Sequence, residues 1–472
     1  MRIAVLFFIV ATYSVQLYSQ ENKMTLKQCI ETGINNNIRV KQSGLQTEAA
    51  AINSQQAKSD MLPNLNGSFG YGLNKGRNVD PLTNSYINQQ LTSSNIGLSS
   101  GVVLFNGMRL QNLIKQNNLT YEATKMDLQQ SKDNLTLNII LAYLQVLSNE
   151  DILVISKGQA DVTKKQVERM NVMVKEGAAG SYLLADLKGQ LATEEISIIN
   201  SANAVEQAKL NLCQLMNIDY NSKLQLERDE ASLSITNYAA SSSDIYNTAL
   251  QQFALIRANE LRVKSAEKAL KVSRSGFFPT ISLNGNLFSS YSSLAETLTP
   301  TITNEVQTGS YVVINGIQNP VLQQQQNYSS TKTAYTKQLN NNIGTYFGVN
   351  MQIPLFNSFQ SRNQVKLSNL SLKNTVLESE NSKTQLKREI EQAHLNMTSS
   401  YDRYKILTEQ VRDFEESFRA AEVRFENGVI NSAEYLISKN NLDRTKVNLT
   451  QARYEYVFRT RMLDYFQGVL KF

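Results

Sequence analysis

Between Met108 and Glu176 the chain contains no proline and a single glycine, Gly158. A run of that length can wind as one α-helix of roughly 100 Å, at about 1.5 Å per residue. No compact globular domain needs such a rod, so the fold must be built around it. The segment leading into it has a different period. Ile96, Leu98, Ser100, Val102 and Leu104 alternate with Asn95, Gly97, Ser99, Gly101 and Val103, which predicts a strand over 95–105. The period changes at Leu104-Phe105-Asn106-Gly107.

The chain repeats this arrangement. In the first half, Thr25-Leu26-Lys27-Gln28 has capping-box form and opens a helix, interrupted near Gly33 and Gly44, that runs to about Asp60 before Pro63. A strand follows over 64–73, with Leu65, Phe69, Tyr71 and Leu73 on one face, then a polar loop, the 95–105 strand, the long helix 108–175 and a return helix 182–216. In the second half, Asp244 caps a helix, and strands are expected over 280–288 and 345–355, a long helix over 358–426 and a return helix over 433–468. An offset of 251 relates Leu104 to Leu355, Gly177 to Gly428 and Ser181 to Ser432. Pro63 and Pro279 are only 216 apart, so the second inter-strand loop, Ser289–Asn342, is longer by 251 − 216 = 35 residues.

The side-chain register is duplicated as well. Tyr121, Leu128, Leu135 and Ala142 step by seven, and after a step of eleven come Leu153, Ala160, Val167 and Val174. Adding the offset gives Leu372, Ser379, Leu386, Ala393, Tyr404, Val411, Phe418 and Phe425, of which only the serine is polar. Steps of seven wind a coil left-handed and a step of eleven relaxes it, which predicts nearly straight, gently supercoiled rods. A narrow apolar stripe on a polar helix leaves a wet side over.

Several function classes fall away. The formal net charge of +6 is spread along helical segments among acids, as on a solvated surface, and no nucleic acid is expected as a partner. His394 is the one histidine, and Glu391-x-x-His394 lacks the second motif of a di-metal bundle site, so it reads as a helix-surface residue. No Walker-type glycine loop is present. No catalytic residue, metal or cofactor is expected, and any energy must come from a partner. Residues 1–19, with Arg2 and the apolar run Ile3–Val10, read as a secretory signal peptide. Beyond them no stretch approaches 18 consecutive apolar residues, the best being Ile139–Leu147, so no transmembrane helix is expected. Cys29 and Cys213 sit in no metal or redox spacing, and two readings stand: a disulfide formed in an oxidising periplasm, or two buried thiols.

The strands set a stronger condition. Ten tilted residues cross a bilayer, and these four alternate apolar and polar faces as barrel strands do. A sheet in hydrocarbon must close on itself, and four strands are too few, so several chains must contribute. Tyr71, Phe105, Phe278 and Phe356 at strand ends suit the girdles of a membrane barrel.

Helix, strand, strand and long helix given twice, with Leu-Phe-Asn at each strand-to-helix joint and Gly-x-x-x-Ser at each helical tip, resembles the TolC-like outer membrane efflux protein family over about residues 22–472. The resemblance implies a mainly α chain with a membrane β-barrel, as a homotrimer whose twelve strands form one barrel continued by a twelve-helix periplasmic α-barrel. Residues 218–243 would be the equatorial segment between repeats. The joints would be Leu104, Phe105 and Asn106, and Leu355, Phe356 and Asn357. The tips that dock on a periplasmic adaptor protein would include Gly177, Ser181, Gly428, Val429 and Ser432. The family's mouth is narrowed by acidic residues, for which Glu434 and, more loosely, Asp186 are candidates; Ile437 stands where a second acid would be. Glu434 also reads as an acid placed to suit the positive end of a helix. The expected function is export of small toxic compounds from an adaptor and an inner-membrane pump, RND-type or ABC-type. The alternatives are a duct for type I protein secretion and a non-conducting coiled coil on the cell surface.

Overall fold

The computed structural model describes residues 23–79, 84–88, 90–228 and 235–469. The expected signal peptide lies outside them. The chain divides into two compact units, one comprising Ile52–Asn118 and Ser265–Leu372, the other Met1–Ala51, Leu119–Lys264 and Lys373–Phe472.

The first of these carries the sheet. Strands β1 (Asn64–Asn74), β4 (Leu91–Phe105), β5 (Thr280–Ser292) and β8 (Gly344–Gln352) form one antiparallel sheet in the order β1-β4-β5-β8. The register brings Phe69 opposite Ile96, Leu98 opposite Leu287, Val102 opposite Leu283, and Leu283 opposite Val349. One face is therefore largely apolar, interrupted by Ser100, Ser289 and Thr345, and most of its large side chains lie open, from 80% exposed at Phe347 to 38% at Ile96. The other face presents Asn66, Ser68, Gly97, Ser99, Ser282, Asn284 and Asn350, together with Val103, Phe288 and Tyr346. β1 and β8 are free edges among the described residues.

Two differences from the sequence expectation stand out in this unit. The alternation through Leu104 breaks at a register shift between Val103 and Phe105, so that Phe105, not Leu104, pairs with Ile281 on the apolar face. A bulge at a strand end re-aims the chain in this way as it leaves the sheet. The stretch Ser289–Asn342, expected as a loop, is mostly ordered. It forms a hairpin of β6 (Glu296–Ile314) and β7 (Ile317–Lys332) and a short helix α7 (Tyr335–Asn341). Its turn residues Asn315 and Gly316 both have positive φ, at 53° and 81°, the conformation an Asn-Gly hairpin turn requires. In the first repeat, among the described residues, the three-residue strands β2 (Arg77–Val79) and β3 (Tyr86–Asn88) pair at the corresponding place.

Helices dominate the second unit. α1 (Leu26–Asn36) begins with the expected capping box, Thr25 and Gln28 exchanging bonds of 2.9 and 3.1 Å. The break before α2 (Ile38–Ser59) falls at Asn37, not at Gly33 or Gly44. The Asn37 side chain accepts from the backbone N–H of Arg39 at 2.9 Å and so caps the next helix. Gly33 is needed for packing, since a Cβ there would collide with Ile139 Cδ1. The two long rods are α3 (Arg109–Lys175) and α8 (Gln360–Glu426), each of 67 residues, and the return helices are α4 (Ser181–Met216) and α9 (Ser432–Phe466). α5 (Ser242–Gln252) and α6 (Ala254–Arg274) repeat the pair at the start of the chain. All sixteen seam positions of the two rods are buried or half-buried.

α3 contains an 18-residue window apolar enough to cross a membrane by length and composition, half of it buried. That apolarity serves a protein core. Leu135, Ile139, Ile140, Tyr143, Val146 and Leu147 pack with Cys29, Leu212, Met216 and Leu226. A second core gathers Ile245, Ile256, Leu386, Ile390, Tyr456, Leu463 and Phe466. Irregular segments on either side of residues 229–234 seal both cores. Glu227 O accepts from Tyr143 Oη, Thr236 O accepts from Tyr456 Oη, and Met24 bridges to Leu226. His394 is half-buried rather than free on the surface, with Nε2 3.2 Å from Ala240 O. Cys29 and Cys213 are both buried and unpaired.

Candidate functional site

Each rod ends in the same turn. Gly177 and Gly428 have φ of +73° and +69°, with nothing within 4 Å of where a Cβ would stand, so backbone conformation alone calls for glycine. Around Gly177, Ala178 N–H donates to Met173 O at 2.8 Å and Gly177 N–H to Val174 O at 3.1 Å. Val429 N–H to Arg424 O at 2.8 Å and Gly428 N–H to Phe425 O at 3.1 Å repeat the pattern. These paired bonds close a helix end and satisfy carbonyls that would otherwise be orphaned.

The two following helices start differently. α9 has a side-chain cap: Asn431 Oδ1 accepts from Glu434 N–H at 2.9 Å. α4 starts at Gly180 with no side-chain cap. Glu434 is exposed in the first turn of α9, where a carboxylate suits the positive helix end, and it accepts from Asn431 Nδ2 at 3.4 Å. Asp186 is held by the other tip, since buried Ser432 donates to its Oδ2 at 2.9 Å. Glu434 and Asp186 therefore lie on tips that touch, Val429 projects at 64% exposure, and Ile437 is likewise exposed. An ion pair of 2.5 Å between Arg169 and Glu426 joins the ends of the rods. Both side chains are more than a third exposed, so this pair holds position more than it stabilises.

Inside the tips lie residues that sequence reasoning missed. Tyr435 is fully buried, stacked on Phe425 at 4.6 Å between centroids and 5.6 Å from Phe418. Burial pushes its hydroxyl pKa up, and the oxygen has no hydrogen-bond partner. Subtracting the offset gives Val167, Val174 and Leu184, so this half of the tip core is aromatic where its counterpart is aliphatic. Lys439 is 2% exposed and donates to Glu194 Oε1 at 2.8 Å and Asp443 Oδ2 at 2.6 Å, clamping α9 to α4. Burial pushes the Asp443 carboxyl pKa up, and Lys439 opposes that rise. The i,i+4 spacing of Lys439 and Asp443 was visible in the chain, but the burial that gives the pair its weight was not.

The joints belong to the unit with the sheet. Asn106 Oδ1 accepts from Arg109 N–H at 3.0 Å and so starts α3. Gly107 and Met108 have φ of 64° and 62°, and Ser358 and Phe359, one offset later, have 53° and 60°. A Cβ on Gly107 would lie 2.7 Å from Phe278 Cβ, whereas in the second joint Ser358 has replaced the glycine. Asn357 Nδ2 donates to Ser361 Oγ at 2.6 Å, which in turn donates to Gly276 O at 3.0 Å. Leu355 and Phe356 are 93% and 75% exposed. Among the described residues no cluster of three or more His, Cys, Asp or Glu is arranged to hold a metal.

The sequence matches the family model described as outer membrane efflux protein over residues 30–217 and 245–464. Solved structures share the fold at low identity. CusC is 16% identical, with a TM-score of 0.76 over 94% of this chain and 92% of that one. The CmeC outer membrane channel of Campylobacter jejuni is 16% identical, with a TM-score of 0.73 over 94% and 86%. The outer membrane protein VceC of Vibrio cholerae is 13% identical, with a TM-score of 0.75 over 94% and 96%. No curated protein matches the sequence.

Proposed function

Because the chain belongs to the outer membrane efflux protein family, whose members are trimeric passive channels working with periplasmic adaptors and inner-membrane pumps, we propose that it is the outer duct of a tripartite export system for small toxic compounds. Its place is the Gram-negative outer membrane, extending into the periplasm, and it is a channel, not an enzyme. The observation that carries the reading is the four-stranded sheet with one exposed, largely apolar face, an opposite face mostly of Asn, Ser and Gly, and two free edges. Lipid suits the first face and a wet lumen the second. Hydrocarbon does not tolerate the free edges, so in this reading β8 of one copy pairs with β1 of the next and three copies close twelve strands. A lumen lined by uncharged side chains, most of them short, offers solutes no fixed charge to bind, as passive conduction requires.

In the same reading the tips, with Gly177, Ser181, Gly428, Val429 and Ser432, receive the adaptor. Glu434 supplies one carboxylate per copy to a ring at the mouth, with Asp186 behind it. Such a ring favours cations. Glu434→Gln should reduce cation preference in single-channel recordings; unchanged selectivity would leave Glu434 as a helix-end acid only. The docking is tested by a photo-reactive residue at Val429 in living cells. Capture of an adaptor that co-purifies with a proton-driven pump supports small-molecule efflux. An adaptor that brings an ATP-binding transporter moves the function to protein secretion, and capture of nothing but the chain's own copies removes tip docking.

A further inference from the structure

The β6–β7 hairpin is nineteen and sixteen residues long on its two sides, and all its residues except Thr297 and Val321 are exposed. Among the described residues β6 pairs with β7 and with no other strand, which leaves two long edges of unpaired backbone groups. An isolated two-stranded ribbon is marginal in water. Long free edges recruit other strands unless charge, proline or bulges blunt them. Charge does little here: over residues 296–332 the charged residues are Glu296, Glu305 and Lys332, and Glu296 sits opposite Lys332 at the base. Proline and irregularity interrupt the ribbon at two interior places, at Pro300 with a register shift to Thr303 and at a shift from Gln307 to Tyr311 beside Pro320. Between them an unbroken ladder runs from Thr303 opposite Gln326 to Gln307 opposite Leu322, with Gln323–Gln326 consecutive along β7.

We infer that this middle ladder is an interface between copies of the chain, β7 of one hairpin pairing along its free edge with β6 of the next. The inference rests on the trimeric duct. The hairpin is inserted between β5 and β8 of the four-stranded sheet. Closing the barrel requires a head-to-tail contact of β8 with the β1 of a neighbour. The same threefold operation presents the β7 edge of each hairpin to the β6 edge of the following one, a heterologous contact that closes. Over this ladder the β7 edge is uncharged and the β6 edge carries Glu305 alone, and the amides of Gln323–Gln326 can bond the polar side chains of Thr303, Asn304 and Gln307 on a neighbouring copy. Each added strand pairing relieves the isolation of the ribbon, so the hairpins form a collar continuous with the barrel.

A photo-reactive residue replacing Gln324 in the full chain, expressed in cells, tests this. Irradiation is expected to give covalent dimers and trimers on a denaturing gel, with the crosslink mapped to residues 303–307 of a second copy. The reciprocal probe at Glu305 is expected to map to residues 322–326, which keeps the test decisive if one substitution perturbs its own strand. An intact trimer whose probes react only within their own chain, or with a different protein, overturns the collar and leaves the duct standing. Absence of any trimer overturns both.

Discussion

Gly428 takes its φ of +69° in open space, so an added methyl group is resisted by backbone conformation and not by a neighbour. Gly428→Ala is expected to cost about 1–2 kcal/mol, the penalty for holding an L-residue left-handed. The loss should be read as lower amide-exchange protection at the ends of α8 and α9, with the remainder of the molecule unchanged. Gly177→Ala should act alike at the other tip. Cys29 presents the opposite case, a side chain governed by its surroundings. Burial, with the nearby Cys213 adding to it, pushes the Cys29 pKa from 9.0 up to about 12. The neutral thiol is therefore the form the folded state prefers, and its contribution to stability is full below the ordinary thiol range and is lost progressively as pH rises from there through about 12. At pH 9 maleimide labelling of Cys29 should be slower than in denaturant by a factor of at least several hundred, on the order set by the thiolate fraction alone. Rapid labelling of the folded protein would place that thiol outside the core. At this scale the tip glycines and the Leu-Phe-Asn joint residues could be read directly, because backbone conformations are local. The partners of Cys29, Tyr435 and Lys439 could not, because each comes from an element far along the chain.

The element that holds the tip together is the pair α4 and α9, clamped where Lys439 reaches Glu194 and Asp443. Lys439→Met leaves Glu194 buried without its cation, and breaking a buried pair in this way costs about 3–5 kcal/mol. Changing Lys439→Met, Glu194→Leu and Asp443→Leu together should recover most of that loss. Comparing denaturant midpoints of the single and triple variants checks the expectation, and equal loss in both would assign the effect to packing. For the sheet, Leu283 lies at the centre of the apolar face, between Val102 and Val349. Leu283→Arg should destabilise membrane assembly by about 2–4 kcal/mol, the depth-dependent cost of a cation facing lipid. The yield of folded protein in isolated outer membranes measures it, and an unaffected yield would mean that this face does not meet lipid. Several element boundaries escaped the one-dimensional pattern, among them the start of β4 at Leu91, the end of β5 at Ser292 and the end of β8 at Gln352. The helix break is at Asn37 because its side chain caps α2, and the alternation ends at Leu104 because a bulge releases the strand. The sequence presents the β6–β7 hairpin as a loop because β7 is a polar run with no period-two hydrophobicity to answer Leu298, Ile302 and Val306 of β6, and that period is the signal by which strands are recognised.

The whole molecule is incomplete as one copy. A sheet with two free edges and an exposed apolar face is stable in a membrane only when closed by others like it. Detergent extraction is expected to yield a particle of three chains by light scattering or native mass measurement, and a monodisperse single chain would contradict the closed barrel. By itself the sequence determined the duplication, the length of the rods, the packing seam at every seventh and eleventh step, and the alternating strands, since each is a periodicity that one strand or helix imposes on its own residues. The tertiary structure alone decided which polar groups are buried together, that Tyr435 packs against Phe418 and Phe425, that an apolar window in α3 belongs to a protein core, and that the long insertion is a ribbon with open edges. The physical reason is that burial and strand pairing are set by distant parts of the chain meeting, and no local pattern records which parts will meet.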